Sequence, residues 1–304
     1  MIQATEYELL RDAVGLVDRS SRGKIKLLGG EALEFLQGQV TNDVEALSEG
    51  TGCYAALLNH KGKVRADMRV LRGADRVWLD TEPGLQAILE QTVRMYGIGR
   101  DVRVKDVTTE RAILSLLGPA ARSTLDVEPP GVEHSFVEGE HGLYVTTHLG
   151  VDVICAASDA DGVRAALDVD EVSEDAAECL RIESGRPRLG LDFDTDTIPE
   201  EAGLNERAVS FTKGCYVGQE TVARLHYKGK PNRHLRGLRL SEPGTRGDEL
   251  RLDGRAVGAV GSVSISPVLG PIALAVVRRE AAPGDVLEVG ESGATAKVVD
   301  LPLT

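Results

Sequence analysis

The chain has 304 residues, 42% of them hydrophobic and 4% aromatic, with a formal net charge of −13. That length supports two or three domains with full cores. No apolar run approaches the ~20 residues of a membrane-spanning helix, and the polar, acid-bearing N-terminus (1–11) fits neither a signal nor a transit peptide, so a cytoplasmic location is expected. The acidic balance, with arginine far outnumbering lysine, suits a high-salt cytoplasm and disfavours non-specific nucleic-acid binding. Cys53, Cys155, Cys179 and Cys215 show no C-x-x-C spacing, and the histidines show no H-x-x-x-H. A zinc site or protein-held iron–sulfur cluster built from one local motif is therefore not expected.

In chain order, residues 5–14 read as an amphipathic helix with Thr5 as N-cap, and 24–28 as a strand. Gly29 and Gly30 open a helix to Gln37. Residues 53–58 and 63–71 form a hairpin about the Asn59-His60-Lys61-Gly62 turn. A strand follows at 76–80 and a helix at 84–96. Residues 25–36 echo 114–125 without gaps, which predicts a strand, a glycine turn and a helix used twice, and two related α+β halves. A strand at 151–156, a helix at 161–167 and a helix at 173–184 capped by Ser173 come next. Residues 192–205 read as an acidic loop. Beyond Pro231, β-rich runs at 235–240, 256–265, 272–277 and 294–299 between Gly/Pro turns predict a small barrel or sandwich. A domain boundary is placed near 230–232, giving domains 1–230 and 231–304.

The densest concentration of special residues is Lys213-Gly214-Cys215-Tyr216-Val217-Gly218-Gln219-Glu220. Cys215 just before a helix starting near Gly218 would have its thiolate favoured by the helix N–H groups and by Lys213. It could equally be a small core residue, as most free cysteines are. Asp67 lies in an apolar strand, where a carboxylate needs a partner or a task; a salt bridge to Arg65 or Arg69 would satisfy it. Glu183 ends a helix against the dipole, with Arg186 and Arg188 as candidate partners. Residues 221–240 carry Arg224, Lys228, Lys230, Arg233, Arg236 and Arg239 and no acid, which marks an anion site in an otherwise acidic chain.

Together these residues resemble the folate-binding YgfZ family, within the superfamily of glycine-cleavage T-proteins (aminomethyltransferases). The stretch from Lys213 to Glu220 is similar to the K-G-C-Y-x-G-Q-E signature of that family at every defined position. Residues 15–20 (GLVDRS), 35–43 (FLQGQVTND), 54–59 (YAALLN), 180–185 (LRIESG) and Ile198-Pro199 are similar, in order, to further superfamily elements. The implied fold is α+β: a cloverleaf of two interleaved, ferredoxin-like α+β domains followed by a C-terminal β-barrel.

The resemblance also implies roles. Asp67 matches the second aspartate of a G-G-x-x-D-D element tied to folate chemistry, with Ala66 in place of the first. Glu183 matches a pterin-binding glutamate, since a carboxylate can accept two parallel hydrogen bonds from the pterin edge. Tyr54 matches a folate-site tyrosine, and Arg224 is a candidate for the glutamate tail. Asp67 and Cys215 are the expected reactive groups; tetrahydrofolate or a derivative is the expected ligand, and no metal is expected. The first functional expectation is a tetrahydrofolate-binding protein supporting iron–sulfur cluster assembly or repair, with iron–sulfur enzymes or assembly factors as partners. The alternative is an aminomethyltransferase or demethylase moving a one-carbon unit to tetrahydrofolate. RNA binding is the third class; the acidic charge opposes it and the 224–239 segment alone favours it.

Overall fold

A computed structural model describes residues 4–291 and 293–303. In chain order they form α1 (Ala4–Asp12), β1 (Gly15–Asp18), β2 (Gly23–Leu28), α2 (Ala32–Gln37), β3 (Thr51–Leu58), β4 (Val64–Arg72), β5 (Arg76–Thr81), α3 (Gln86–Tyr96), β6 (Arg103–Asp106) and β7 (Arg111–Leu117). There follow β8 (Phe136–Gly139), β9 (Gly142–Thr146), β10 (Gly150–Ala156), α4 (Ala160–Leu167), α5 (Glu174–Glu183), α6 (Asn205–Ala208) and α7 (Gln219–Lys228). The C-terminal strands are β11 (Arg233–Leu240), β12 (Glu249–Leu252), β13 (Arg255–Ala259), β14 (Val263–Ser266), β15 (Gly270–Arg278), β16 (Val286–Val289) and β17 (Ala294–Val299).

Two five-stranded sheets share one plan. The first has the order β3-β4-β5-β2-β6 and the second β8-β9-β10-β7-β1. In each, a three-strand meander (β3 to β5, β8 to β10) returns beside the strand that preceded it (β2, β7), and a helix follows (α3, α4). The fifth position is filled by β6 in the first sheet but by the N-terminal β1 in the second, Gly15 lying opposite Leu117. The chain thus begins in its second sheet and returns there, which is the interleaving expected from sequence. The echoed glycines end β2 and β7: Gly29 has φ 110° and Gly118 φ 120°. A Cβ would lie 2.2 Å from the Asp101 carbonyl oxygen at Gly29 and 2.4 Å from that of Ala13 at Gly118. Only glycine fits either corner.

The echo is incomplete. After Gly29 the chain forms α2, beginning at Ala32 and not at the glycines; after Gly118, residues 119–127 are turns and not the expected helix. Pro119 cannot donate, and the Ser123 and Thr124 hydroxyls both donate to the Ala120 carbonyl, drawing that turn out of a regular helix. Two other local readings are also corrected. Thr5 lies inside α1, which already includes Ala4, so it is not the cap. The run at 256–265 divides into β13 and β14. Ser173 does cap α5, its hydroxyl accepting from the Ala176 N–H at 3.3 Å.

Each sheet buries its own core, Ile25, Phe35, Met68 and Leu79 in the first, Leu114, Tyr144 and Val153 in the second. A joint cluster of Leu71, Trp78, Ile113, Phe136 and Ile154 packs one sheet against the other. The third unit closes on itself: β11-β17-β16-β12-β13-β15 runs round to a β11–β15 pairing, with Arg233 opposite Arg278, and β14 adds outside β15. This is a six-stranded barrel around Leu238, Leu250, Leu274's neighbours Ala273 and Ala275, and Val298. Helix α5 lies between barrel and sheets. Among the described residues no helix is long and apolar enough to cross a membrane.

Candidate active site

Asp67 sits on β4, only 1% exposed. Neither Arg65 nor Arg69 pairs with it, so the salt-bridge reading of this residue is overturned. Its Oδ2 accepts from the Tyr54 hydroxyl on β3 at 2.7 Å, while Oδ1 is buried with no partner. Burial pushes the carboxyl up to about 6, against the Tyr54 hydrogen bond; nearby Glu82 raises it further and Arg22 opposes. Tyr54 and Asp67 are therefore brought together as the resemblance implied, in a state that ordinary folding does not favour.

Tyr54 is placed by the loop that follows α2. The Asn42 amide donates to the Tyr54 carbonyl at 2.8 Å and to the Arg207 carbonyl of α6 at 3.2 Å. Thr41 joins the same elements, its hydroxyl donating to the Ala208 carbonyl and accepting from the Ala56 N–H. These bonds explain the T-N-D stretch. They also set the Arg207 guanidinium 4.6 Å from the Tyr54 ring centroid. His134 stacks with the same ring, centroids 6.3 Å apart, in a left-handed backbone at φ 69°. Burial and the surrounding arginines push His134 and His148 down to about 3, so both stay neutral at ordinary pH.

Beneath this site runs a ladder of alternating charge. Asp192 pairs with Arg181, Arg181 with Glu178, Glu178 with Arg188, and Arg188 with Glu82. Glu82 then pairs with Arg22, Arg22 with Asp80, Asp80 with Arg69, and Arg69 with Asp152, every contact being 2.6–2.9 Å. At one end the Ser262 N–H of the barrel donates to Asp192; at the other the Ser115 hydroxyl of β7 donates to Asp152. The ladder ties all three units together. Asp67 stands beside it and outside it.

Among the described residues Glu183 makes no hydrogen bond with Asp67. Its carboxylate accepts from the Tyr7 hydroxyl of α1 at 3.0 and 3.1 Å. Arg186 pairs instead with Glu133, and Arg188 with Glu82 and Glu178, so the expected arginine partners are corrected. Arg224 lies on the exposed face of α7. Two other cations of the basic segment are committed to acids, Arg233 to Glu201 and Arg236 to Asp300.

The eight-residue signature divides by role. Lys213 points away from Cys215, its ammonium donating to the carbonyls of Gln37 (2.7 Å), Val40 (2.7 Å) and Asn42 (2.8 Å). The expected activation of the thiol by this lysine is thereby corrected: the residue winds the loop that carries Thr41 and Asn42. Burial pulls its pKa down to about 8. Tyr216 belongs to the core cluster around Leu58 and Val222. Gly218, at φ 85°, precedes α7 and meets the hairpin turn, where a Cβ would lie 2.6 Å from the Asn59 carbonyl oxygen. Cys215 is exposed, three residues ahead of that helix cap, so the small-core-residue reading fails.

Sequence reasoning missed Arg207, His134, Arg22 and Glu82. Arg22, Glu82 and Arg207 are ordinary members of an arginine- and acid-rich chain with no local motif. His134 could have been singled out only by its backbone. A cleft of ≈ 1220 Å³ lies elsewhere, beside Trp78, Arg111 and Phe136, and none of these site residues lines it.

Two twinned sheets and a closed barrel, with a buried carboxylate on the first sheet, make up an architecture that the comparisons place. Residues 1–130 match the GCVT N-terminal domain and residues 233–304 the glycine cleavage T-protein C-terminal barrel domain. The chain belongs to the glycine-cleavage T-protein superfamily. It is 26% identical over 298 residues to an aminomethyltransferase of Staphylococcus carnosus (strain TM300), covering 90% of this chain and 82% of that one. The crystal structure of the glycine cleavage system aminomethyltransferase T from Bartonella henselae superposes with a TM-score of 0.89 at 24% identity, over 99% of this chain and 89% of that one. That likeness confirms the expected fold.

Proposed function

We propose that this protein binds tetrahydrofolate and transfers a one-carbon unit to it from an amine, with Asp67 as the proton-handling group. The observation that carries the proposal is the Asp67 carboxyl itself: buried, pushed up to about 6, and offering Oδ1 with no partner. A group titrating near neutrality can take a proton from an ammonium and return it to a leaving amine. Tyr54 holds Oδ2, which leaves Oδ1 as the oxygen that meets the reacting nitrogen. Tetrahydrofolate supplies the nitrogen that receives the carbon. The residues fit such a ligand: an orphaned acceptor for an N–H, a tyrosine ring, and an arginine plane over that ring. Glu183 keeps the pterin role as part of the proposal, since it accepts from Tyr7 and is paired with no cation among the described residues.

The test is single-turnover formation of methylene-tetrahydrofolate from an aminomethyl donor. Asp67→Asn is expected to lower the rate by about two to four orders of magnitude while tetrahydrofolate affinity by calorimetry holds. Equal rates in wild type and variant would remove Asp67 from the reaction. Glu183→Ala is expected to abolish tetrahydrofolate binding, and an unchanged affinity would sink the pterin role. The second reading, support of iron–sulfur enzymes, is favoured by the exposed Cys215 within the signature. It predicts that Cys215→Ser spares folate binding and lowers iron–sulfur enzyme activity in cells lacking the wild-type protein.

A further inference from the structure

We infer that Arg207 is the anchor for a carboxylate carried by the amine that meets Asp67, so that the one-carbon donor is a small amino acid whose nitrogen bears the unit as an aminomethyl-type N–CH2–N group, already at the methylene oxidation level, and the free amino acid leaves as the methylene passes to tetrahydrofolate. The inference rests on the one-carbon reading of Asp67.

Arg207 stands apart from the other arginines around it. Arg22, Arg69, Arg181, Arg186 and Arg188 each hold at least one carboxylate within 3.3 Å. Arg207 is partly buried and has no ion pair and no side-chain hydrogen bond among the described residues; only the Tyr54 ring faces its guanidinium. A desolvated cation without a counter-ion is costly to keep. Glu133 and Asp67 act on Arg207 only at a distance, and neither forms an ion pair with it; burial and Arg186 hold its pKa down. Arg186 is another cation, and its partner Glu133 is taken up at 3.2 Å. His134 and His148 are neutral, and the buried Nδ1 of His134 has no partner.

Two opposite charges are thus left incomplete on one tyrosine. Asp67 meets the hydroxyl end of Tyr54 and Arg207 lies over the ring, and among the described residues neither forms an ion pair. A ligand with an ammonium at one end and a carboxylate at the other completes both, the carboxylate taking the planar fork of the guanidinium. An amine without a carboxylate would complete only one.

The test compares N-methylglycine with N-methylethylamine, which replaces the carboxylate by a methyl group, in calorimetric titrations at fixed ionic strength. Wild-type protein is expected to bind N-methylglycine at least tenfold more tightly. Arg207→Gln should erase that discrimination while tetrahydrofolate affinity stays within twofold, and Arg207→Lys should retain part of it, which guards against a folding defect. Equal affinities for the two amines in the wild type, or binding of neither, would overturn the inference. So would an Arg207→Gln protein that loses tetrahydrofolate and keeps the discrimination, since the guanidinium would then serve the folate tail. Failure of the one-carbon reading shows separately, as no methylene-tetrahydrofolate formed by the wild type, and failure of the Asp67 role as equal rates in wild type and Asp67→Asn.

Discussion

The two five-stranded sheets are built alike and used differently. On β4 of the first sheet, a carboxylate stands among apolar neighbours; on β9, which holds the matching place in the second, Leu143, Tyr144 and Val145 all pack into cores. The second sheet contributes braces and walls: Asp152 to Arg69, and, from the segment before β8, His134 against Tyr54. The difference teaches that the shared frame supplies rigidity, and that chemistry is concentrated where one copy departs from the hydrophobic rule of the other.

The pin of this pseudo-symmetric pair is Arg69. It reaches Asp80 in its own sheet and Asp152 in the other, both at 2.7 Å, with all three side chains under a tenth exposed. Removing one partner of a buried pair strands the rest. Arg69→Met is expected to cost about 3–5 kcal/mol in denaturant unfolding, the largest effect predicted for this chain. A loss within experimental error would mean that the apolar cluster around Trp78 and Phe136 holds the sheets together unaided.

The asymmetry between the sheets has a pH signature. The Asp67 carboxyl titrates at about 6 in the folded chain against an ordinary 3.8. Protonation is thus easier folded than unfolded, so its contribution to stability is full below about pH 4 and is lost as pH rises through 6. Asp67→Asn removes the charge and is expected to stabilise the protein at pH 7 by as much as about 3 kcal/mol, with the gain vanishing near pH 4. A constant gain from pH 4 to 7 would show that the buried charge is not the cause. The site would then be one the fold tolerates freely and not one maintained against stability.

The glycine corners test whether the frame is truly repeated. Gly29→Ala and Gly118→Ala each force a Cβ against a carbonyl oxygen at a positive φ. Each should cost about 1–3 kcal/mol in thermal or denaturant unfolding, and nearly equally. A large loss at Gly29 with none at Gly118 would make the likeness of the sheets superficial, and the missing helix after Gly118 the more telling fact.

Much of this frame was legible in the sequence because it rests on short-range signals: the hairpin at Asn59 to Gly62, the echoed glycines, the Ser173 cap, and the Gly/Pro-punctuated strands after Pro231. The strands β1, β6, β8, β9, β12 and β16 were not read, being short and set by their partners more than by their own pattern. The resemblance assigned Tyr54 and Asp67 each to folate chemistry, but the hydrogen bond between them was not read. The ladder from Asp192 to Asp152 was illegible, since its links join residues such as Glu82 and Arg188, which only the folded topology brings together. Lys213 was misread for the same reason. Its nearest notable neighbour in sequence is Cys215, but its partners lie on the loop after α2.

The smallest effect separates the signature from the Asp67 site. Cys215 is exposed and bonded to nothing that holds the fold, so Cys215→Ser should change stability by no more than about 0.5 kcal/mol. The other three thiols differ: Cys155 and Cys179 are buried, and burial pushes Cys53 and Cys179 up to about 12. A maleimide applied to the native protein at pH 7 should therefore label one site, and Cys215→Ser should abolish the labelling while leaving tetrahydrofolate affinity unchanged. Labelling of Cys53 at a comparable rate would mean that the loop wound about Lys213 opens readily, exposing β3 next to Tyr54. In that event the signature would govern access to the Asp67 site, and its thiol and its lysine would belong to one function instead of two.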